Sequence, residues 1–206
     1  MEIYENEHDQ VDAIKRFFAE NGKALVVGVI LGVGALVGWR YWNNHQADSA
    51  RGASLSYENT VSAIRADQPQ TLTAAEKFAA DNKNTYGALA ALEVAQQYVD
   101  KNELDKAAAQ LSQSLAAASD ENLKAVINLR LARIQVQQKK ADDALKTLDT
   151  VKGEGFAAIV ADLRGEALLS KGDKEGARKA WQAGVESKAS PALSEMMQMK
   201  INNLSV

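Results

Sequence analysis

Hydrophobic residues fall along this chain in three different ways, and each predicts a different element. Val11, Ile14, Phe17 and Phe18 recur at helical spacing beside Lys15 and Arg16. That pattern predicts a short amphipathic helix lying against a membrane surface. Residues 23–42, KALVVGVILGVGALVGWRYW, form the only long apolar run. Beyond residue 43 the apolar positions return in short clusters at helical spacing, broken by polar turns, which predicts one helix after another. Two prolines in 206 residues, with abundant Ala, Leu, Gln, Lys and Glu, agree with an almost wholly helical chain.

The long run is best read as a membrane anchor. Ala24 to Trp39 is uncharged, and extension to Trp42 gives 19 residues, about 28 Å at ~1.5 Å per residue, close to a bilayer's hydrocarbon thickness. Arg40 then sits at the interface, with its stem along the helix and its head in water. Trp39, Tyr41 and Trp42 supply an aromatic belt at the same edge. Gly28 and Gly32, and again Gly34 and Gly38, leave bare backbone at helical spacing. They allow another membrane helix to approach closely, or reflect the ordinary tolerance of glycine in lipid. A phosphate-binding loop is excluded, because the glycines have the wrong spacing and follow no strand. A cleaved secretion signal fits poorly: the segment before Lys23 is long and acidic, and no A-x-A site follows the run. Lys15, Arg16 and Lys23 flank one side, against Arg40 and Arg51 on the other. This bias places the N-terminus in the cytoplasm and the larger domain outside.

After the anchor the chain repeats itself. DKAAAQL at 105–111, DDALKTL at 142–148 and EGARKAW at 175–181 each carry an alanine with a bulky residue four places later. The pairs are Ala107 with Leu111, Ala144 with Leu148 and Ala177 with Trp181; TAAEKF at 73–78 adds Ala74 with Phe78. Successive alanines are 33, 37 and 33 residues apart, near the ~34-residue period of tetratricopeptide repeats. Small residues let two helices approach, and the bulky residue one turn on fills the remaining gap. Tyr98 and Gly165 fall where the preceding helix of such a unit favours a tyrosine and a small residue. Lys101-Asn102 and Lys171-Gly172-Asp173 are turn signals, and Thr73 with Glu76 reads as a capping box. Ser190-Pro191 predicts the start of a last helix. Leu193, Met197, Ile201 and Leu204 form its apolar face, with Met196 and Met199 beside it. It caps the array or offers adaptable methionines to a partner. The expected fold is all-α: one N-terminal transmembrane helix, then a tetratricopeptide-like α-solenoid of helical hairpins with a C-terminal capping helix. The expected segments are a cytoplasmic leader at 1–23, the anchor at 24–42 and the repeat domain at 43–206.

Charge and chemistry narrow the function. Residues 1–23 hold three basic and six acidic residues, and the rest of the chain holds 21 of each. A balanced domain without interleaved basic and aromatic residues argues against nucleic acid. Cysteine is absent, and the two histidines, His8 and His45, fall on opposite sides of the anchor. No nucleophile elbow, P-loop or zinc-protease motif occurs, and paired acids such as Asp142-Asp143 lie at a repeat turn. An enzyme, a cofactor, a metal and a small-molecule substrate are therefore not expected. What remains is a protein-binding scaffold. By repeat register Gln96, Asp100, Arg133, Gln137, Asp162 and Glu166 face its groove, or form a solvated helix face. Arg133, the one basic group among them, suits a carboxylate.

Several stretches together carry a resemblance over the whole chain. They are the leader EIYENEHDQVDAIKRFFAENGK, the GWRYW exit, NLKAVINLRLARIQVQ and the end PALSEMMQMKINNLSV. The chain resembles the YfgM family, ancillary subunits of the SecYEG translocon of Gram-negative bacteria. The resemblance implies a single-pass inner-membrane protein with a periplasmic domain. It implies association with SecYEG and with PpiD, a membrane-anchored periplasmic chaperone, and a role in passing unfolded secretory proteins to periplasmic chaperones. It also implies an alternative role, a membrane-bound scaffold that restrains an envelope stress response.

Overall fold

The computed structural model describes residues 3–65, 70–187 and 189–204, and the side chains of 3–10, 13, 49 and 65 are outside the description. The ends of the expected leader and domain, and the His8 side chain, fall outside the described residues. Helix α1 covers Ile3–Arg65, and its residues divide between two compact units, Met1–Gly52 and Ala53–Val206.

In the first unit the apolar run is helical and its side chains are bare. The most apolar 18-residue window of α1 has a mean hydropathy of 1.9 and none of it is buried. Leu31 is 67% exposed and Trp39 68% exposed. Among the described residues this is the one helix long and apolar enough to cross a bilayer. Every backbone amide inside a helix is satisfied by its own chain, which is what hydrocarbon requires. A side chain added at Gly28, Gly32, Gly34 or Gly38 would meet nothing within 4 Å, so the glycine faces are open. Phe17 and Phe18 are exposed and meet edge to face, with ring centres 5.9 Å apart.

In the second unit the helices pair into hairpins. They are α2 (Thr71–Asp81), α3 (Thr85–Asp100), α4 (Leu104–Ala117), α5 (Glu121–Gln137), α6 (Ala141–Asp149), α7 (Ala157–Ser170), α8 (Lys174–Glu186) and α9 (Pro191–Asn203). A short 3-10 turn at Glu154–Phe156 leads into α7. Helices α3 and α4, α5 and α6, and α7 and α8 form successive hairpins, and α9 packs on α8 as the cap. Three of the predicted small-and-bulky pairs are at the centre of the packing: Ala107, Leu111, Ala144 and Ala177 are 0% exposed, Leu148 and Trp181 1%.

The three hairpin turns share one geometry. Asn102, Lys139 and Gly172 each have a positive φ, of 58°, 62° and 84°. After each, a backbone amide reaches five residues back, Glu103 to Tyr98, Lys140 to Gln135 and Asp173 to Leu168, at 2.7, 2.8 and 3.0 Å. This is the paired closure of a helix C-terminus through a left-handed residue. Lys139 holds that conformation without glycine's freedom. Asn84, Asp120, Asp173 and Ser190 cap the starts of α3, α5, α8 and α9 by accepting backbone amide bonds.

The first repeat departs from its expected register. Ala75, not Ala74, is buried, and Phe78 is only half-buried. The expected capping box at Thr73 and Glu76 does not form, because α2 already begins at Thr71 and Thr73 is inside it. Glu76 instead accepts a short hydrogen bond from the Tyr98 hydroxyl. Burial and then that bond push the Tyr98 pKa up to about 12. The acid therefore ties α2 to α3 rather than capping its own helix.

Candidate functional site

Helices α3, α5 and α7 are the first helices of their hairpins, and they carry all six residues expected to face the groove. Gln96 on α3 and Arg133 and Gln137 on α5 come together around one hollow of about 230 Å³. Its remaining lining is largely apolar, with Leu92, Val99, Leu111 and Ile134. Asp100 is beside it but outside the lining, and accepts a 2.9 Å hydrogen bond from the Gln96 side chain. That bond fixes the Gln96 amide and uses one of its donors.

Asp162 and Glu166 on α7 are engaged elsewhere. Asp162 is buried, and Lys200 of α9 donates to it and to Glu166, both at 2.6 Å. Lys200 also lies over the Trp181 ring, 5.7 Å from its centre. Burial works against the lysine charge, but its hydrogen bonds to the two carboxylates outweigh that and raise its pKa above the ordinary value. The capping helix therefore occupies the α7 part of the surface with its own cation. Leu193 and Leu204 pack there around buried Met197 and Ile201, and Met199 is left exposed.

Sequence reasoning passed over Arg130, one helical turn before Arg133 and on the same side of α5. Both arginines line the first hollow and also a second, again about 230 Å³, between α5 and the start of α7. The second is lined otherwise by Val126, Leu129, Phe156 and Ile159. The signal was present as the three-residue spacing of Arg130 and Arg133 in NLRLARIQ. Arg164, Lys140 and Lys171 differ from this pair in that each meets a carboxylate. The expected turn acid Asp142 is in the first turn of α6, where its hydrogen bond to Lys171 lowers its pKa. Among the described residues, no three or more His, Asp or Glu side chains are grouped as metal ligands are.

The arrangement is a pair of small hollows on a stack of hairpins, lined by apolar side chains together with Gln96, Arg130, Arg133 and Gln137. Comparison with known proteins adds the family. A family model described as a tetratricopeptide repeat-like domain matches residues 15–206. The ancillary SecYEG translocon subunit of Escherichia coli (strain K12) is 79% identical over 206 residues, all of both chains. That of Haemophilus influenzae is 37% identical over 96% of this chain and 97% of its own. That of Buchnera aphidicola subsp. Schizaphis graminum is 35% identical over 73% of this chain and 77% of its own. No solved structure gives a significant match. The chain belongs to the family of ancillary SecYEG translocon subunits, whose body is a tetratricopeptide repeat-like domain.

Proposed function

We propose that this protein is an inner-membrane ancillary subunit of the SecYEG translocon that links emerging secretory polypeptides to periplasmic chaperones, PpiD among them. The observation that carries this reading is the 79% identity, over the full length of both chains, to a protein named an ancillary SecYEG translocon subunit. The exposed apolar length of α1 supports anchorage. The basic residues ahead of the run favour a cytoplasmic N-terminus, which supports a periplasmic repeat domain. A helical-repeat surface with apolar hollows supports transient contact with unfolded chains.

The test is co-purification from membranes in mild detergent. The full-length protein is expected to bring down SecYEG and PpiD. A version whose residues 24–42 are replaced by an unrelated transmembrane helix shows which partner the anchor holds and which the domain holds. Recovery of neither partner with the unaltered protein would overturn the proposal.

A further inference from the structure

The two hollows and the arginines between them have features that a general peptide groove does not require. Arg130 and Arg133 are exposed, adjacent on one face of α5, and have no ion-pair partner among the described residues. Each lines both hollows, so the pair stands between two apolar recesses. One recess is floored by Leu92 and Val99, and the other by Phe156 and Ile159. At about 230 Å³ each, they are below the ~300–1,000 Å³ typical of small-molecule sites. That size suits single aliphatic side chains. A guanidinium pair matches a carboxylate in shape and charge, with two parallel hydrogen bonds per arginine.

We propose that this surface selects extended polypeptide segments in which an acidic side chain has aliphatic ones two residues before it and two residues after it. The carboxylate meets Arg130 and Arg133, and the aliphatic groups enter the two recesses. An extended segment turns every second side chain to the same face, so one strand crossing α5 can place an acid on the arginines and the aliphatic groups two residues to either side of it in the two recesses. The inference names the client chemistry of the reading above and rests on it. The arginines alone would suit a phosphate as well as a carboxylate; the apolar lining of both recesses favours polypeptide over nucleic acid, since phosphates would leave it uncovered.

The test uses the full-length protein in lipid nanodiscs and labelled ten-residue peptides that differ only at one central position, Asp, Asn or Lys, with a leucine two residues to each side of it. Fluorescence anisotropy is expected to show the Asp peptide binding on the order of tenfold tighter than the Asn peptide, with Lys weaker still. Exchanging the leucines for serines weakens the Asp peptide further. The double variant Arg130→Glu, Arg133→Glu, checked for an unchanged melting curve, is expected to prefer the Lys peptide. Equal binding of the three peptides, binding of none, or an Asp preference retained by the double variant would each overturn the inference. If SecYEG still co-purifies in any of those cases, the translocon reading stands and only the selectivity is wrong. If the unaltered protein recovers neither SecYEG nor PpiD, that reading fails on its own account.

Discussion

Trp181→Ala is expected to lower the unfolding free energy of the repeat domain by about 3–5 kcal/mol, the usual cost of emptying a large buried aromatic site. Trp181 is 1% exposed, among Leu168, Met197 and Ile201. Its indole N–H donates to the Asp162 carbonyl at 3.1 Å, so truncation leaves a void beneath the cap and a buried acceptor without its donor. The ring fits because residue 165 has no side chain: a Cβ there would be 2.3 Å from the indole nitrogen. Gly165→Ala is therefore expected to cost about 1–3 kcal/mol by overpacking. In the Trp181→Ala background the same change should cost almost nothing, since the space it needs is vacant. Urea unfolding followed by circular dichroism, on the full-length protein in detergent, gives all four stabilities. Additive costs would show that the glycine and the tryptophan do not form one packing unit.

The second large effect concerns the lysine that fastens the cap. Lys200→Met is expected to cost about 2–3 kcal/mol, because it leaves the Asp162 carboxylate buried without a cation. The cost is below that of a wholly buried pair, since Glu166 and the lysine keep some contact with water. Exchanging Asp162→Asn and Glu166→Gln together with Lys200→Met should recover much of the loss, because no charge is then stranded. The pH dependence follows from the raised pKa of Lys200. A cation favoured by the fold stabilises fully below its unfolded value, near 10.5, and that contribution disappears as pH rises through the higher folded value. The stability gap between wild type and Lys200→Met should thus be constant at neutral pH and narrow above about 10.5. Tyr98, which also titrates at high pH, is common to both proteins and cancels. A gap unchanged into strong alkali would mean that the lysine charge does not hold the cap.

Much of this architecture is legible in the residues, because helix packing writes small and bulky side chains at fixed spacing. Ala107 with Leu111, Ala144 with Leu148 and Ala177 with Trp181 mark three buried contacts, and Gly165 marks the helix that Trp181 presses on. Ser190-Pro191 marks the cap for an equally local reason, a hydroxyl acceptor before a residue with fixed φ. Where the physics is tertiary, the residues are silent. The turn at Gln138-Lys139-Lys140 holds no glycine or asparagine, yet closes like its two counterparts because the flanking helices impose it. Thr73 and Glu76 have the spacing of a capping box, but the helix starts earlier and Tyr98, 22 residues on, claims the acid. Asp162 and Glu166 have the register of groove residues, and only the folded chain shows Lys200 reaching them from 38 and 34 residues away. The second hollow was invisible for the same reason, since its walls come from α5 and from the segment around Phe156.

The most direct test of the proposal that the domain meets chains leaving the translocon is a photo-crosslinking residue in place of Gln137, which lines the first hollow. Illumination of cells with a secretory protein arrested part-way through the channel should give an adduct between the two proteins. Adducts with cytoplasmic proteins alone, or none with the arrested chain, would contradict the account.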